Sequence, residues 1–303
     1  TALKNKVNYK NSDLYVTLEP CSHYGKTPPC TKKIISKKIN RVVFSINDSD
    51  VRSKNLASKE LSKKKIKINK FVLKNFAENF YKSYFMQPSN KMPFIDGKLA
   101  ISKDFLSNNK KSRWITNVES RTLANFLRSK YDCLLTTSKT INDDDPLLNC
   151  RIEGLEKKSP DIIILDRFFN IKKESIVFKK RNRKIYILTS SENPSKENYF
   201  KKMSVKIIKI NKINDKTDDL KNVFYTIKKL GFNRILVESG ITFLDQLVKY
   251  NLIKNFYLFK SSIALGKQGF NNSNVLYLNK INFSKKNKIK VNLKGDSLYK
   301  VKI

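Results

Sequence analysis

Thr17-Leu-Glu-Pro-Cys-Ser-His-Tyr-Gly-Lys-Thr-Pro-Pro-Cys30 sets two thiols, Cys21 and Cys30, in a proline-punctuated turn. The apolar run Asp13-Leu-Tyr-Val-Thr-Leu18 before it reads as a buried strand, and Pro28-Pro29 read as the entry to a helix from Thr31 to Lys38. Thiols at a strand end and a helix start suit a thiolate pair. A catalytic zinc needs three protein ligands and one open position, so the pair is half of such a site. The competing reading is two buried thiols, which are common. His23, the one histidine, reads as a pocket-lining or loop-shaping residue rather than a ligand.

Strand and helix alternate outward from this turn. Arg41–Ile46 and Ile66–Val72 read as further strands, and Phe76–Met86 as a helix whose aromatic residues pack on the sheet. A break follows at Gln87-Pro-Ser-Asn-Lys-Met-Pro93. A second run then offers strands at Phe94–Ile101, Cys133–Thr137, Asp161–Leu165, Lys184–Leu188, Val205–Ile210 and Arg234–Val237. Its expected helices are Val118–Ser129, Asp218–Leu230 and Thr242–Tyr250, and residues 255–303 read as strands joined by Gly/Asn-rich loops. The alternation implies two α/β domains, 1–90 and 91–303, with parallel sheets.

The chain of 303 residues carries 63 basic and 26 acidic residues, a formal charge of +37. Only ten of the basic residues are arginine, and the lysines are spread throughout, mixed with Asn and Ile. That spread argues for compositional bias over a phosphate-reading nucleic-acid surface, where the arginine fork is favoured. Four cysteines exclude a disulfide framework and point to a reducing compartment, the cytoplasm. No apolar run is long enough to span a membrane.

The second half holds an ordered set of polar motifs. They are Lys98-Leu-Ala-Ile-Ser-Lys-Asp104, Ser112-Arg-Trp-Ile-Thr116, Arg128, Thr140-Ile-Asn-Asp-Asp-Asp-Pro-Leu-Leu148, Arg151 and Ile235-Leu-Val-Glu-Ser-Gly240-Ile-Thr-Phe243. The last is a strand running through a glycine turn into a helix, which presents N–H groups to phosphate, although a plain structural turn reads the same way. Two arginines suit a bidentate grip on a phosphate, and Glu238 at a strand end could bond sugar hydroxyls. Trp114 offers a flat face and an indole donor, or is simple core. Asp143 to Pro146 could be only a turn, and Arg128 a helix-end charge.

The cysteine loop, with eight residues between the thiols and Gly25-Lys-Thr-Pro-Pro29 inside, closely resembles the bifunctional deaminase/reductase family of riboflavin biosynthesis. The ordered motifs after residue 91 are similar to that family's reductase domain, with Phe105 where the family's Lys-x-Ala-x-Ser-x-Asp-Gly has glycine. The resemblance implies a cytidine-deaminase-like α/β domain lacking its N-terminal part, then a dihydrofolate-reductase-like α/β domain. It implies Zn2+ on Cys21 and Cys30, and NADPH contacted by Ala100, Trp114, Thr140, Asp144 and the turn of Gly240, Ile241, Thr242, Phe243, Leu244, Asp245 and Gln246. The substrate, a phosphorylated pyrimidine, would meet Ser112, Arg128, Leu148, Arg151 and Glu238, with Lys98 or Asp104 as proton donor.

Zinc deaminases carry a His-x-Glu upstream of their cysteines. The chain opens at Thr1-Ala-Leu without it, so the expectation is an N-terminally incomplete protein with Thr1–Leu3 as a helix tail. Such a protein would retain reductase activity and lack deaminase turnover. The family further implies a homo-oligomer joined through the second domain, with neither nucleic acid nor membrane as partner. Two rivals stand beside this reading: a nucleic-acid-editing deaminase with an RNA-binding C-terminal half, and a reductase carrying a decayed structural deaminase domain.

Overall fold

The computed structural model describes residues 3, 8–85, 91–179, 183–214, 216–271, 277–281, 284 and 287–303. The expected helix tail at 1–3 and the break at 87–93 fall mostly outside them. The chain divides into two compact units, 1–90 and 91–303.

The smaller unit has three parallel strands in the order β1 (Asp13–Leu18), β2 (Arg41–Ile46) and β3 (Lys67–Lys70). Helices α1 (Cys30–Ser36), α2 (Leu56–Lys63) and α3 (Lys74–Phe85) complete it. Ile34, Val42, Phe44, Leu61 and Ile66 form its core. β3 is shorter than the sequence suggests because Phe71 and Leu73 take left-handed φ angles of 66° and 55°, which ends the pleat. α3 also departs from expectation. Ala77 and Ser83 are its buried residues, while Phe76 and Phe80 are 73% and 69% exposed. The small side chains sit inward and turn the phenyl rings outward.

Among the described residues the larger unit is built on a nine-stranded sheet. Seven run parallel in the order β11 (Asn255–Lys260), β4 (Phe94–Ile101), β10 (Arg234–Glu238), β6 (Cys133–Thr137), β7 (Asp161–Leu165), β8 (Ile185–Thr189) and β9 (Lys206–Lys209). β14 (Asp296–Lys302) and β13 (Lys288–Leu293) continue the sheet antiparallel beyond β11. A short pair, β5 (Asn108–Asn109) with β12 (Gly269–Phe270), lies apart from it.

Alternation along the strands feeds two cores. Ile95, Leu99, Ile163, Leu165, Ile235 and Val237 join α7 (Thr217–Lys229) and α8 (Ile241–Lys249) on one face. Leu134, Ile162, Ile164 and Leu236 join α4 (Val118–Arg128), α5 (Ser138–Asp144) and α6 (Pro194–Lys202) on the other. Full burial on both faces explains the near-continuous apolar runs of β6, β7 and β10. Gly97 is the exception in β4: a Cβ there would lie 2.8 Å from Ile253 Cδ1, so glycine permits that close packing. Among the described residues no helix is long and apolar enough to cross a membrane.

Candidate active site

β10 enters the sheet between β4 and β6, so successive connections diverge from this point. Such a switch point opens a crevice at the carboxyl ends of the strands. A cavity of about 790 Å³ lies there, lined from the ends of β4, β10, β6 and β7. All of its lining residues belong to the larger unit.

Lys98 and Glu238 are direct neighbours across the β4–β10 ladder. Lys98 Nζ stands 3.7 Å from Glu238 Oε2. Arg128, in the last turn of α4, takes the carboxylate more tightly: Nε donates to Oε1 at 2.7 Å and Nη2 to Oε2 at 2.9 Å. Its Nη1 donates to Asn125 Oδ1 and to the Asn149 carbonyl. Burial alone would raise the Glu238 pKa, but Arg128 and then Lys98 outweigh it and hold it at about 2. Burial, with Arg128 nearby, pushes Lys98 below the ordinary lysine value despite its anionic neighbour. Arg128 stays charged, because Glu238 outweighs its burial. The guanidinium expected to grip a phosphate is therefore committed to Glu238.

The cationic side chains facing the cavity lie elsewhere. Arg121 and Arg113 sit over the Trp114 ring, 4.5 and 5.2 Å from its centroid. Arg121 Nη1 donates to the Thr116 carbonyl and Arg113 Nη2 to that of Asp145. Arg151 has no hydrogen-bond or ion-pair partner among the described residues. Its pKa is lowered, first by burial and then by the charges of Arg128, Arg113 and Arg121. Like charges held this close call for an anion.

A hydroxyl cluster ties the next two strand ends together. Thr137 Oγ1 lies 3.0 Å from Thr140 Oγ1 and from Ser239 Oγ, and the Gly240 N–H donates to Thr140 Oγ1. Thr137 caps α5, whereas no side chain caps α8 at Gly240. Gly240 has an ordinary φ of −60°, and a Cβ there would meet nothing within 4 Å. The glycine thus keeps space clear above a helix N-terminus, where N–H groups and the dipole favour phosphate.

Most of the sequence-predicted residues meet here. Ala100, Trp114, Thr140 and Asp144 line the cavity, as do Gly240, Ile241, Thr242, Phe243 and Gln246. Lys98, Arg128, Leu148, Arg151 and Glu238 line it as well. Asp144 is pushed above the usual carboxylate range by burial and by Asp143.

Four predicted residues are not in the wall. Leu244 is fully buried in the core, and Asp245 Oδ1 accepts the N–H groups of Tyr277 and Leu278. Ser112 Oγ accepts the Trp114 N–H and so shapes the turn before the ring. Asp104 accepts from the Ser102 hydroxyl and from the N–H groups of Leu265 and Gly266, which holds it at about 2. Phe105 beside it has a φ of 66°, a conformation that favours glycine, and the Lys260 ammonium lies 4.1 Å from its ring centroid. Sequence reasoning missed Arg113, Arg121, Thr137 and Ser239. The neighbours of Trp114 and Gly240 in sequence were the available signal for two of them, Arg113 and Ser239.

In the smaller unit Cys21 and Cys30 come together, the Cys30 N–H pointing to Cys21 Sγ at 3.3 Å. Burial and the Cys21 thiol push the Cys30 pKa up. His23 bonds Ser53 Oγ at 2.8 Å and shapes the loop. Among the described residues no three His, Cys, Asp or Glu side chains are grouped to hold a metal. Glu19 is buried beside this loop, its Oε2 accepting the N–H groups of Asp48 and Asn55.

Fold and cavity define a doubly wound α/β protein with a basic ligand site at its switch point. Residues 95–289 match the RibD C-terminal domain. The chain is 30% identical over 266 residues to the riboflavin biosynthesis protein RibD of Aquifex aeolicus, covering 85% of this chain and 71% of that one. It is 30% identical over 264 residues to RibD of Chlamydia pneumoniae, covering 85% and 69%. The solved RibD of Acinetobacter baumannii (form 1) shares the fold with a TM-score of 0.78 at 21% identity, over 97% of this chain and 81% of that one. A solved Thermotoga maritima diaminohydroxyphosphoribosylaminopyrimidine deaminase/5-amino-6-(5-phosphoribosylamino)uracil reductase gives 0.76 at 23% identity, over 98% and 80%. The chain belongs to the RibD family of riboflavin biosynthesis proteins and carries that family's reductase domain.

Proposed function

We propose that residues 91–303 reduce the ribosyl side chain of 5-amino-6-(5-phosphoribosylamino)uracil to a ribityl chain with NADPH, the reductase reaction in the name of the Thermotoga maritima relative. The observation that carries this reading is the Lys98–Glu238–Arg128 set facing a cavity in which Arg113, Arg121 and Arg151 form no ion pair with a carboxylate among the described residues. The cavity volume lies within the range of small-molecule and cofactor sites. The cleared N-terminus of α8 supports binding of a diphosphate.

Opening the ribosyl ring breaks the bond between C1 and the ring oxygen, adds hydride to C1 and needs one proton on the released oxygen. When bound, the reduced nicotinamide supplies the hydride. Lys98 holds the proton: its ammonium is loosely paired, and burial favours release. Glu238 has lone pairs left by Arg128 and accepts bonds from ribose hydroxyls. Arg151, flanked by Arg113 and Arg121, neutralises the substrate phosphate. Trp114 and the arginines over it wall the reacting carbon from water.

Cys21 and Cys30 are the ligands a zinc would take in the smaller unit. Two thiols do not make a catalytic zinc site, which needs three protein ligands, so we assign no deamination step to this chain. Parallel assays of NADPH oxidation and ammonia release test the proposal. Oxidation with the deaminated substrate, and no ammonia from the diamino precursor, is expected. Ammonia release without NADPH oxidation would reverse the assignment.

A further inference from the structure

Between α5 and β7 the chain runs through Asp145-Pro-Leu-Leu-Asn-Cys-Arg151, and Pro146, Leu147, Leu148 and Arg151 line the cavity. Asp145 and Leu148 take left-handed φ angles of 40° and 48°. That conformation is costly for a residue with a Cβ, above all a bulky one, and persists only where its surroundings impose it. Here three guanidinium groups impose it. Arg113 Nη2 donates to the Asp145 carbonyl and Arg128 Nη1 to that of Asn149, both at 3.1 Å. Arg183 donates from Nη2 to the Leu147 carbonyl and from Nη1 to that of Leu148. Asp145 Oδ1 also accepts the Ile176 N–H at 2.8 Å, and Ser159 Oγ accepts the Cys150 N–H at 3.0 Å.

Arg183 differs from the other two. Arg113 and Arg128 stand in the cavity wall, whereas Arg183, just before β8, lies outside it. Burial, and then the charge of Arg128, bring its pKa down to about 10, which leaves it charged at neutral pH. The carbonyls that it takes belong to the two peptide planes on either side of Leu148. One planar fork therefore fixes both dihedral angles of the left-handed residue. With no side-chain partner among the described residues, Arg151 takes its direction from the backbone beneath it, three residues past Leu148.

We propose that Arg183 is a positioning residue: by clamping the two peptide planes around Leu148 from behind the cavity, it aims Arg151 at the phosphate of the substrate. The inference rests on the reductase reading above and adds to it a residue outside the cavity wall. Steady-state kinetics of the full chain with the phosphoribosylaminouracil and with its dephosphorylated analogue test it, beside calorimetric titration with NADP+. Arg183→Ala should raise KM for the phosphorylated substrate about tenfold, the scale of a displaced charge-assisted contact, while kcat and NADP+ affinity hold. The dephosphorylated analogue should show no change in kcat/KM. In an Arg151→Ala background, Arg183→Ala should add nothing to KM, because the two side chains act through one contact. Arg183→Lys keeps the charge and loses the fork, so KM should rise by a smaller factor, again for the phosphorylated substrate alone. That variant carries the test if the alanine variant does not fold. Additive effects of the Arg183 and Arg151 substitutions, or equal losses on the two substrates, would overturn this inference alone. An unchanged KM for the phosphorylated substrate in Arg151→Ala would overturn the phosphate assignment on which it rests.

Discussion

Glu238 stands across the β4–β10 ladder from Lys98, yet Arg128 takes both of its carboxylate oxygens and leaves the lysine at 3.7 Å. On the proposed mechanism, that inequality leaves Lys98 as the group that gives up a proton. A proton-donating Lys98 must be charged, so turnover should fall as pH rises through its depressed pKa, before the ordinary lysine value of 10.5. Replacing Glu238 by Gln removes the anion that supports the ammonium. The alkaline limb of the kcat profile should then move to lower pH, which a rate profile of Glu238→Gln measures. An unmoved limb would exclude Lys98 as its source.

Glu238 and Arg128 also hold the fold. Glu238 releases its proton more readily folded than unfolded, so its contribution is complete above about 4.5 and is lost as pH falls towards about 2. Arg128→Ala leaves a buried carboxylate poorly paired and should cost about 3–5 kcal/mol in denaturant titrations. Arg151→Ala breaks no such pair, so its stability should stay within about 0.5 kcal/mol of the parent. Its KM for the phosphorylated substrate should rise about tenfold or more while NADPH affinity holds. Equal losses for both ligands would remove Arg151 from the phosphate site.

Asp104 anchors the turn at 265–266 and lies outside the cavity wall. Asp104→Ala should speed hydrogen exchange at the Leu265 and Gly266 amides and keep the shape of the pH–rate profile. Loss of one limb of that profile would restore Asp104 as an acid–base group.

Trp114 is the chain's one tryptophan, half-exposed in the cavity wall. NADPH should therefore quench the protein's indole emission in a saturable way. Competition by NADP+ should restore it. Emission indifferent to NADPH would place the cofactor away from this ring.

Much of the fold was legible because alternation and length are local. β4, β6 and β7 were bounded correctly, since their apolar runs are bracketed by polar residues. α2 was missed because Leu61 is the one large apolar side chain among its buried residues, Ala57, Ser58 and Leu61, within a lysine-rich segment. α6 was also missed, although Asn193 caps it and Pro194 opens it, a start signal that stood in the sequence. α5 was not read as a helix, since only a possible turn at Asp143 to Pro146 was noted there, yet Thr137 caps it.

The site was legible by motif and illegible by pairing. Arg128 and Glu238 are 110 residues apart, and nothing local says that one will consume the other's charge. Arg113, Arg121 and Arg167 carried no periodic signal, and only the meeting of strand ends brings them to one cavity.

The most direct test of the central claim is isotope transfer, followed by mass spectrometry of the product formed with NADPH deuterated at the transferable C4 position. Deuterium at C1 of the ribityl chain is the expected result. A product formed without that label, or no product from the phosphoribosylaminouracil at all, would contradict hydride delivery at the Lys98–Glu238 site.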